Sequence, residues 1–229
     1  VLFRSKPTQA GLYLHYAAVA AASAVPVMLY NVPGRTAVDL SPDTVARLAA
    51  VPRIAAIKEA VADLARIREL LAKAPGIDVL SGDDATAREA VLAGAKGVVS
   101  VTANVAPRPM AEMIAAALAG DATRAAAIDA TLTALHKDLF VESNPIPVKW
   151  ALAQMGLIGE GIRLPLTPLS STPMAPLMFV ADDGNRFSKS SVSPDPTEYA
   201  CTMCCVPPVV SNDRARLSGS VPSSAPSFT

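Results

Sequence analysis

Cysteine is missing from the first 200 residues of this 229-residue chain, and its three cysteines, Cys201, Cys204 and Cys205, crowd into five positions. That distribution argues against a disulfide framework and makes a reducing cytoplasm the expected location. Cys201 and Cys204 form a C-x₂-C, but no second ligand pair follows, so no metal site is expected. Aromatic residues are only 4% of the chain, and the 51% apolar fraction rests instead on alanine, leucine and valine. Such a composition suits an alanine-rich helical shell around a sheet of small residues. Net charge is zero, with 20 basic and 20 acidic side chains, so neither nucleic acid nor an anionic membrane is an expected partner. No apolar run approaches the ~20 residues of a spanning helix, and no basic-then-apolar leader is expected.

Four short apolar runs read as buried strands: Val27–Tyr30, Ile54–Lys58, Asp78–Gly82 and Gly97–Val101. Their starts lie 27, 24 and 19 residues apart, and a helical pattern fills each gap. Ser41-Pro42 gives an N-cap serine with proline at the first helical position. Asp63 is placed to cap a second helix, with Leu64, Ile67, Leu70 and Leu71 as its apolar stripe, and Asp84 a third that runs to Gly94. Strands alternating with helices at this spacing mean parallel βαβ units. Beyond Val101 the pattern predicts only helices: 106–119, 121–140 and one starting near Pro145. Residues 1–105 are thus expected to form a β/α unit and 106–170 a helical region. Residues 171–229 hold 11 serines and 8 prolines without sustained periodicity and read as a disordered tail.

Lys58 closes the apolar run Ile54-Ala55-Ala56-Ile57, 28 residues after Tyr30 closes another. Burying an ammonium is costly, so a lysine at the inner end of a strand is either paired or used. A desolvated lysine has a depressed pKa and can attack a carbonyl to form a Schiff base. Glu59 should point to the opposite face, because strand side chains alternate, and is not expected to be the catalytic acid. His15 and His136 fall on expected helices away from the strand ends and read as structural or surface residues. The Asp83-Asp84 pair reads as helix capping rather than as a metal or acid–base pair.

The strings Tyr30-Asn31-Val32-Pro33-Gly34-Arg35-Thr36, Ile57-Lys58-Glu59-Ala60, Leu80-Ser81-Gly82-Asp83-Asp84, Gly97-Val98-Val99-Ser100-Val101-Thr102-Ala103-Asn104 and Glu142-Ser143-Asn144-Pro145-Ile146-Pro147-Val148-Lys149-Trp150 closely resemble the dihydrodipicolinate synthase family. The resemblance runs in order from about Lys6 to Ser170. It implies a (β/α)₈ barrel fold with a C-terminal helical region, in a lysine-biosynthetic (diaminopimelate) lyase that condenses pyruvate with aspartate semialdehyde. Lys58 matches the lysine that forms the Schiff base with pyruvate. Tyr30 matches the proton-shuttling tyrosine, and Arg35 the arginine that holds the aldehyde's carboxylate. Gly82 and Val99 match positions whose backbone lines the pyruvate pocket. The resemblance implies no organic cofactor and no catalytic metal, and a homo-oligomer, a tetramer in the family.

The chain also departs from that pattern. A (β/α)₈ barrel takes about 250 residues and eight strands, whereas the four strands here correspond to the second half. The paired threonines of the family's second strand, one of them in the proton relay with Tyr30, have no counterpart. Arg4 stands where the family places a tyrosine that reaches a neighbouring subunit, and Val61-Ala62 replaces a small polar residue and glycine behind Lys58. The expected form is therefore a truncated, weakly active or inactive version of the synthase. Two other readings stay open: a related pyruvate-dependent aldolase acting on a sugar acid, and a non-catalytic half-barrel.

Overall fold

The computed structural model describes residues 6–170; the tail beyond Ser170, its cysteines and Arg4 lie outside the described residues. Helix α1 (Gln9–Ala22) leads into strand β1 (Val27–Asn31), followed by the short α2 (Pro33–Thr36) and α3 (Pro42–Leu48). The alternation continues with β2 (Ile54–Glu59), α4 (Leu64–Lys73), β3 (Asp78–Ser81), α5 (Ala87–Leu92) and β4 (Gly97–Val98). A 3₁₀ turn (Thr102–Asn104) then enters α6 (Pro107–Leu118), α7 (Ala122–Asp138) and α8 (Ile146–Gln154). The strands form one parallel sheet in the order β1-β2-β3-β4, the arrangement that successive βαβ units impose.

Local chemistry explains the helix starts. The Ser41 side chain accepts from the Thr44 amide with Pro42 at the first helical position, and Asp63 accepts from the Ala65 amide. Each such cap is worth about 1 kcal/mol. Asp84 does not cap α5, contrary to the sequence-based expectation. Asp83 accepts from the Thr86 amide and hydroxyl at 2.9 and 2.7 Å, just before the helix. Asp84 reaches across to the segment after β4. That segment turns early: β4 ends at Val98 rather than Val101, because the Val101 and Thr102 amides bond Asp84 instead of a strand.

Strand alternation gives the sheet two unlike faces. Leu29, Asn31, Ile57 and Glu59 are buried at 0–2% exposure on the helix-covered side. Met28 and Tyr30 point the other way, at 41% and 43% exposed. The apolar core runs from Leu12 on α1 through Leu29, Ile57, Val79 and Val98 to Met110, Ile114, Leu132, Leu139 and Val148. The C-terminal helices thus share one core with the sheet. Among the described residues, no helix is long and apolar enough to cross a membrane.

Candidate active site

Register sets the site. Tyr30 lies opposite Lys58, Lys58 opposite Leu80, and Leu80 opposite Gly97. The parallel ladder then steps past the strand ends: the Ala60 amide donates to Asn31 O, the Gly82 amide to Glu59 O and the Val99 amide to Ser81 O, at 2.7–3.0 Å. Tyr30, Lys58, Gly82 and Val99 therefore gather at the carboxyl ends of four adjacent strands, where barrel-type β/α proteins build their sites.

Lys58 is half-buried, and its Nζ sits 4.4 Å from the centre of the Tyr30 ring. Desolvation pushes its amine below the ordinary lysine value; the Asp84 carboxylate opposes that shift and the Arg35 guanidinium adds to it. Lys58 is thereby richer in free amine than a solvated lysine. Gly82 makes room for it: a Cβ there would fall 2.9 Å from Lys58 Cε and 2.8 Å from Ala60 Cβ. Arg35, on α2, donates from Nη2 to the Asn144 carbonyl at 3.1 Å, tying the loop after β1 to the start of α8. The structure thus brings Tyr30, Lys58 and Gly82 into contact range. It sets Arg35 near enough for its charge to act on the lysine, and holds Val99 through its strand bond to Ser81.

Glu59 faces away, as alternation demands. Both its oxygens accept from Asn31 Nδ2 at 3.0 Å, and Oε1 also takes the Val61 amide at 2.9 Å. Asn31 in turn donates to Asp39, which pairs with Arg66, and its Oδ1 accepts from the Leu40 amide. This buried network pins the tips of β1 and β2 and holds Glu59 on the side opposite Lys58. Burial raises the Glu59 carboxyl above its ordinary value of 4.5, against the pull of the Asn31 and Val61 donors. The folded state therefore holds this proton more tightly than the unfolded chain. The Glu59 contribution to stability is full below about pH 4.5 and is lost as pH rises through the raised value. Urea-unfolding midpoints of the wild type and Glu59→Gln should diverge in favour of the glutamine as pH rises through that window. A difference independent of pH, or one growing in favour of glutamate, would refute it.

Sequence reasoning missed two features. Asp84 is buried and electrostatically coupled to Lys58. The one available signal was a second carboxylate at the end of β3 where a single cap suffices. His136 was expected away from the strand ends; it is buried, with Nδ1 2.9 Å from Thr102 Oγ1 in the turn after β4. Among the described residues, no cluster of three or more His, Cys, Asp or Glu side chains could hold a metal ion.

The sequential parallel sheet and the lysine at a strand tip define a barrel-type β/α protein. A profile of the dihydrodipicolinate synthetase family matches residues 3–179, and the chain belongs to that family. It is 61% identical over 171 residues to the 4-hydroxy-tetrahydrodipicolinate synthase of Alkalilimnicola ehrlichii, a match covering 74% of this chain and 59% of the relative. The synthase of Thioalkalivibrio sulfidiphilus is 59% identical over 176 residues, covering 76% and 60%. Among solved structures, the chloride-inhibited dihydrodipicolinate synthase of Acinetobacter baumannii, complexed with pyruvate, superposes with a TM-score of 0.75. That match is 54% identical and covers 77% of this chain and 61% of the other. The chain thus spans about three fifths of the length of the relatives it matches.

Proposed function

We propose that this chain carries the Schiff-base half of a 4-hydroxy-tetrahydrodipicolinate synthase, condensing pyruvate with aspartate semialdehyde in lysine biosynthesis. One observation carries the reading: Lys58, with its amine made less basic by burial, sits at a strand tip over the Tyr30 ring. The free amine of Lys58 adds to the ketone carbon of pyruvate, and loss of water leaves a cationic imine. Loss of a methyl proton gives the enamine, whose carbon attacks the aldehyde. Tyr30, whose ring centre lies 4.4 Å from the amine, would shuttle the protons. Gly82 and Val99 would line the pyruvate pocket with backbone groups. The family relationship and the resemblance further suggest a cytoplasmic homo-oligomer, and sedimentation velocity would measure its size.

Borohydride reduction in the presence of pyruvate tests the assignment on the chain as it stands, since trapping needs only one reactive amine. The adduct should map to Lys58. Adduct on Lys73, Lys96 or Lys149 in its place would remove the mechanism.

The Arg35 guanidinium would hold the carboxylate of the aldehyde through charge-assisted hydrogen bonds. Arg35→Ala should leave pyruvate trapping nearly unchanged while weakening discharge of the adduct by aspartate semialdehyde. Losing such a contact costs about 1.5–3 kcal/mol, roughly ten- to a hundredfold. Equal losses for both substrates would assign Arg35 to its Asn144 contact and to structure alone.

A further inference from the structure

Asn31 follows Tyr30 at the end of β1 and is 2% exposed. Its Nδ2 donates to both oxygens of Glu59 at 3.0 Å and to Asp39 Oδ1 at 2.8 Å. Its Oδ1 accepts from the Leu40 amide, and its backbone carbonyl from the Ala60 amide, both at 3.0 Å. These partners fall into two groups. Glu59 and Ala60 are the two residues that follow Lys58 on β2 and just past it. Asp39 and Leu40 stand at the far end of the loop that begins at Val32 and carries Arg35.

Bonds within the loop shape it without anchoring it. The Thr36 hydroxyl donates to the Val38 carbonyl at 2.9 Å, and Ala37 turns the chain in the left-handed region at φ 55°. A cleft lined by Leu12, Tyr16, Thr36 and Val38 lies between the loop and α1, so apolar packing fills that side incompletely. From outside, Gln9 Nε2 donates to the Asp39 carbonyl at 2.7 Å and Arg66 pairs with the Asp39 carboxylate. Asn31 supplies the bonds that tie the loop's end back to the strand it left.

We propose that Asn31 is a positioning residue with a double hold: its side chain fixes Lys58 beside Tyr30 through Glu59, and fixes Arg35 by closing the loop that carries it. The proposal rests on Lys58 and Arg35 having the roles given them under the proposed function. Asn31 sits on the sheet face opposite Lys58 and touches no reacting atom; it acts through the end of β2 and through the loop. A carboxamide suits the task because it offers donors and an acceptor at once. A carboxylate there would offer no donor and would set a third negative charge beside Glu59 and Asp39. Misplacing reacting groups by about 1 Å can cost about a hundredfold in rate. One side chain thus sets the spacing between the imine and the group that receives the second substrate.

Trace acetylation of the full 229-residue chain with acetic anhydride over a pH series, followed by peptide mass spectrometry, reads the ionisation midpoint of Lys58 without pyruvate. Burial holds that midpoint below the ordinary lysine value, so an amine released from its place should titrate higher. Arg35, Asp84 and the Tyr30 ring also bear on Lys58, and the variants leave all three unchanged. Asn31→Ala should raise the Lys58 midpoint and leave that of Lys73, paired with Asp43 and Glu69, in place. Glu59→Leu removes both acceptors and should raise it too, whereas Glu59→Gln keeps an oxygen for Asn31 and should hold the wild-type midpoint. A role in stability alone leaves the midpoint of the folded chain unmoved, and that result in Asn31→Ala overturns the proposal. Should circular dichroism show Asn31→Ala unfolded, Glu59→Leu decides: a raised midpoint upholds the hold on Lys58 and an unmoved one overturns it. Borohydride trapping reads the loop. Asp39→Ala cuts the loop closure and spares the bonds to Glu59. It should slow discharge of the adduct by aspartate semialdehyde at least about tenfold more than it slows pyruvate trapping. Equal losses in the two steps overturn the proposal as well. The two readings fail separately. A raised midpoint in Asn31→Ala with no pyruvate adduct on the wild-type Lys58 retires the synthase reading and leaves the strand hold. A wild-type adduct with an unmoved midpoint does the reverse.

Discussion

Replacing Gly82 with valine should abolish the pyruvate adduct on Lys58 in borohydride trapping, lowering its rate by at least about a hundredfold, or 2.7 kcal/mol in barrier. Even a single added carbon at this position would lie 2.8 Å from Ala60 Cβ and 3.1 Å from Ala60 Cα, atoms that move only with their backbone. It would also lie 2.9 Å from Lys58 Cε. The lysine stem is the softest of these neighbours, so it yields first, and its Nζ leaves its place over Tyr30. Overpacking of this kind costs typically about 1–3 kcal/mol of stability, so the fold should survive while the amine is misplaced. Gly82→Ala should show the same defect more mildly. Gly34→Ala is the control, since a Cβ there meets nothing within 4 Å. A Gly82→Val chain that traps pyruvate at the wild-type rate would show that Lys58 does not work from the observed position.

The second large effect concerns the chain as a whole. Residues 1–229 expressed alone should turn over pyruvate and aspartate semialdehyde at least about a hundredfold more slowly than an intact relative. The face bearing Lys58 is open: Tyr30 is 43% exposed and Met28 41%. Water at this face screens the charges that would stabilise the imine and competes for the proton that Tyr30 would relay. Removing a single preorganised donor from a closed site already costs about 10²–10³ in rate. Product formation against an intact relative measures the gap. Turnover within about tenfold, roughly 1.4 kcal/mol, would mean that the open face is closed in solution, as by two copies pairing into one working site.

The strands were legible in the sequence because each is a short apolar run bounded by helix signals, and the expected starts at Val27, Ile54, Asp78 and Gly97 match those observed. Ser41-Pro42 and Asp63 announced their helices because a cap is a contact within three residues. Asp84 escaped the same logic: its partners lie 17 and 18 residues on, and capping rules see only the next turn. Lys58 stood out because burying a lysine needs a reason, and alternation alone placed Glu59 on the opposite face, where it bonds Asn31. The Arg35 contact with Asn144 spans 109 residues, beyond the reach of any local pattern. Gly82 could be matched to the family but not explained, because its reason is a side chain from a neighbouring strand.

The neighbouring pair Lys58-Glu59 also acts as a check on strand alignment. Slide β2 by one residue and the ammonium would enter the niche now holding Glu59. There the Asn31 side-chain amide on β1 presents its hydrogens. The carboxylate would meanwhile come to rest over the electron-rich ring of Tyr30. Both placements set like polarity against like. Leu29 and Ile57 alone would specify the alignment only through apolar burial, which penalises a slip without regard to sign. With the two charges added, a misaligned sheet suffers two electrostatic errors at once, so the lysine proposed for the chemistry also helps to proofread the fold that positions it.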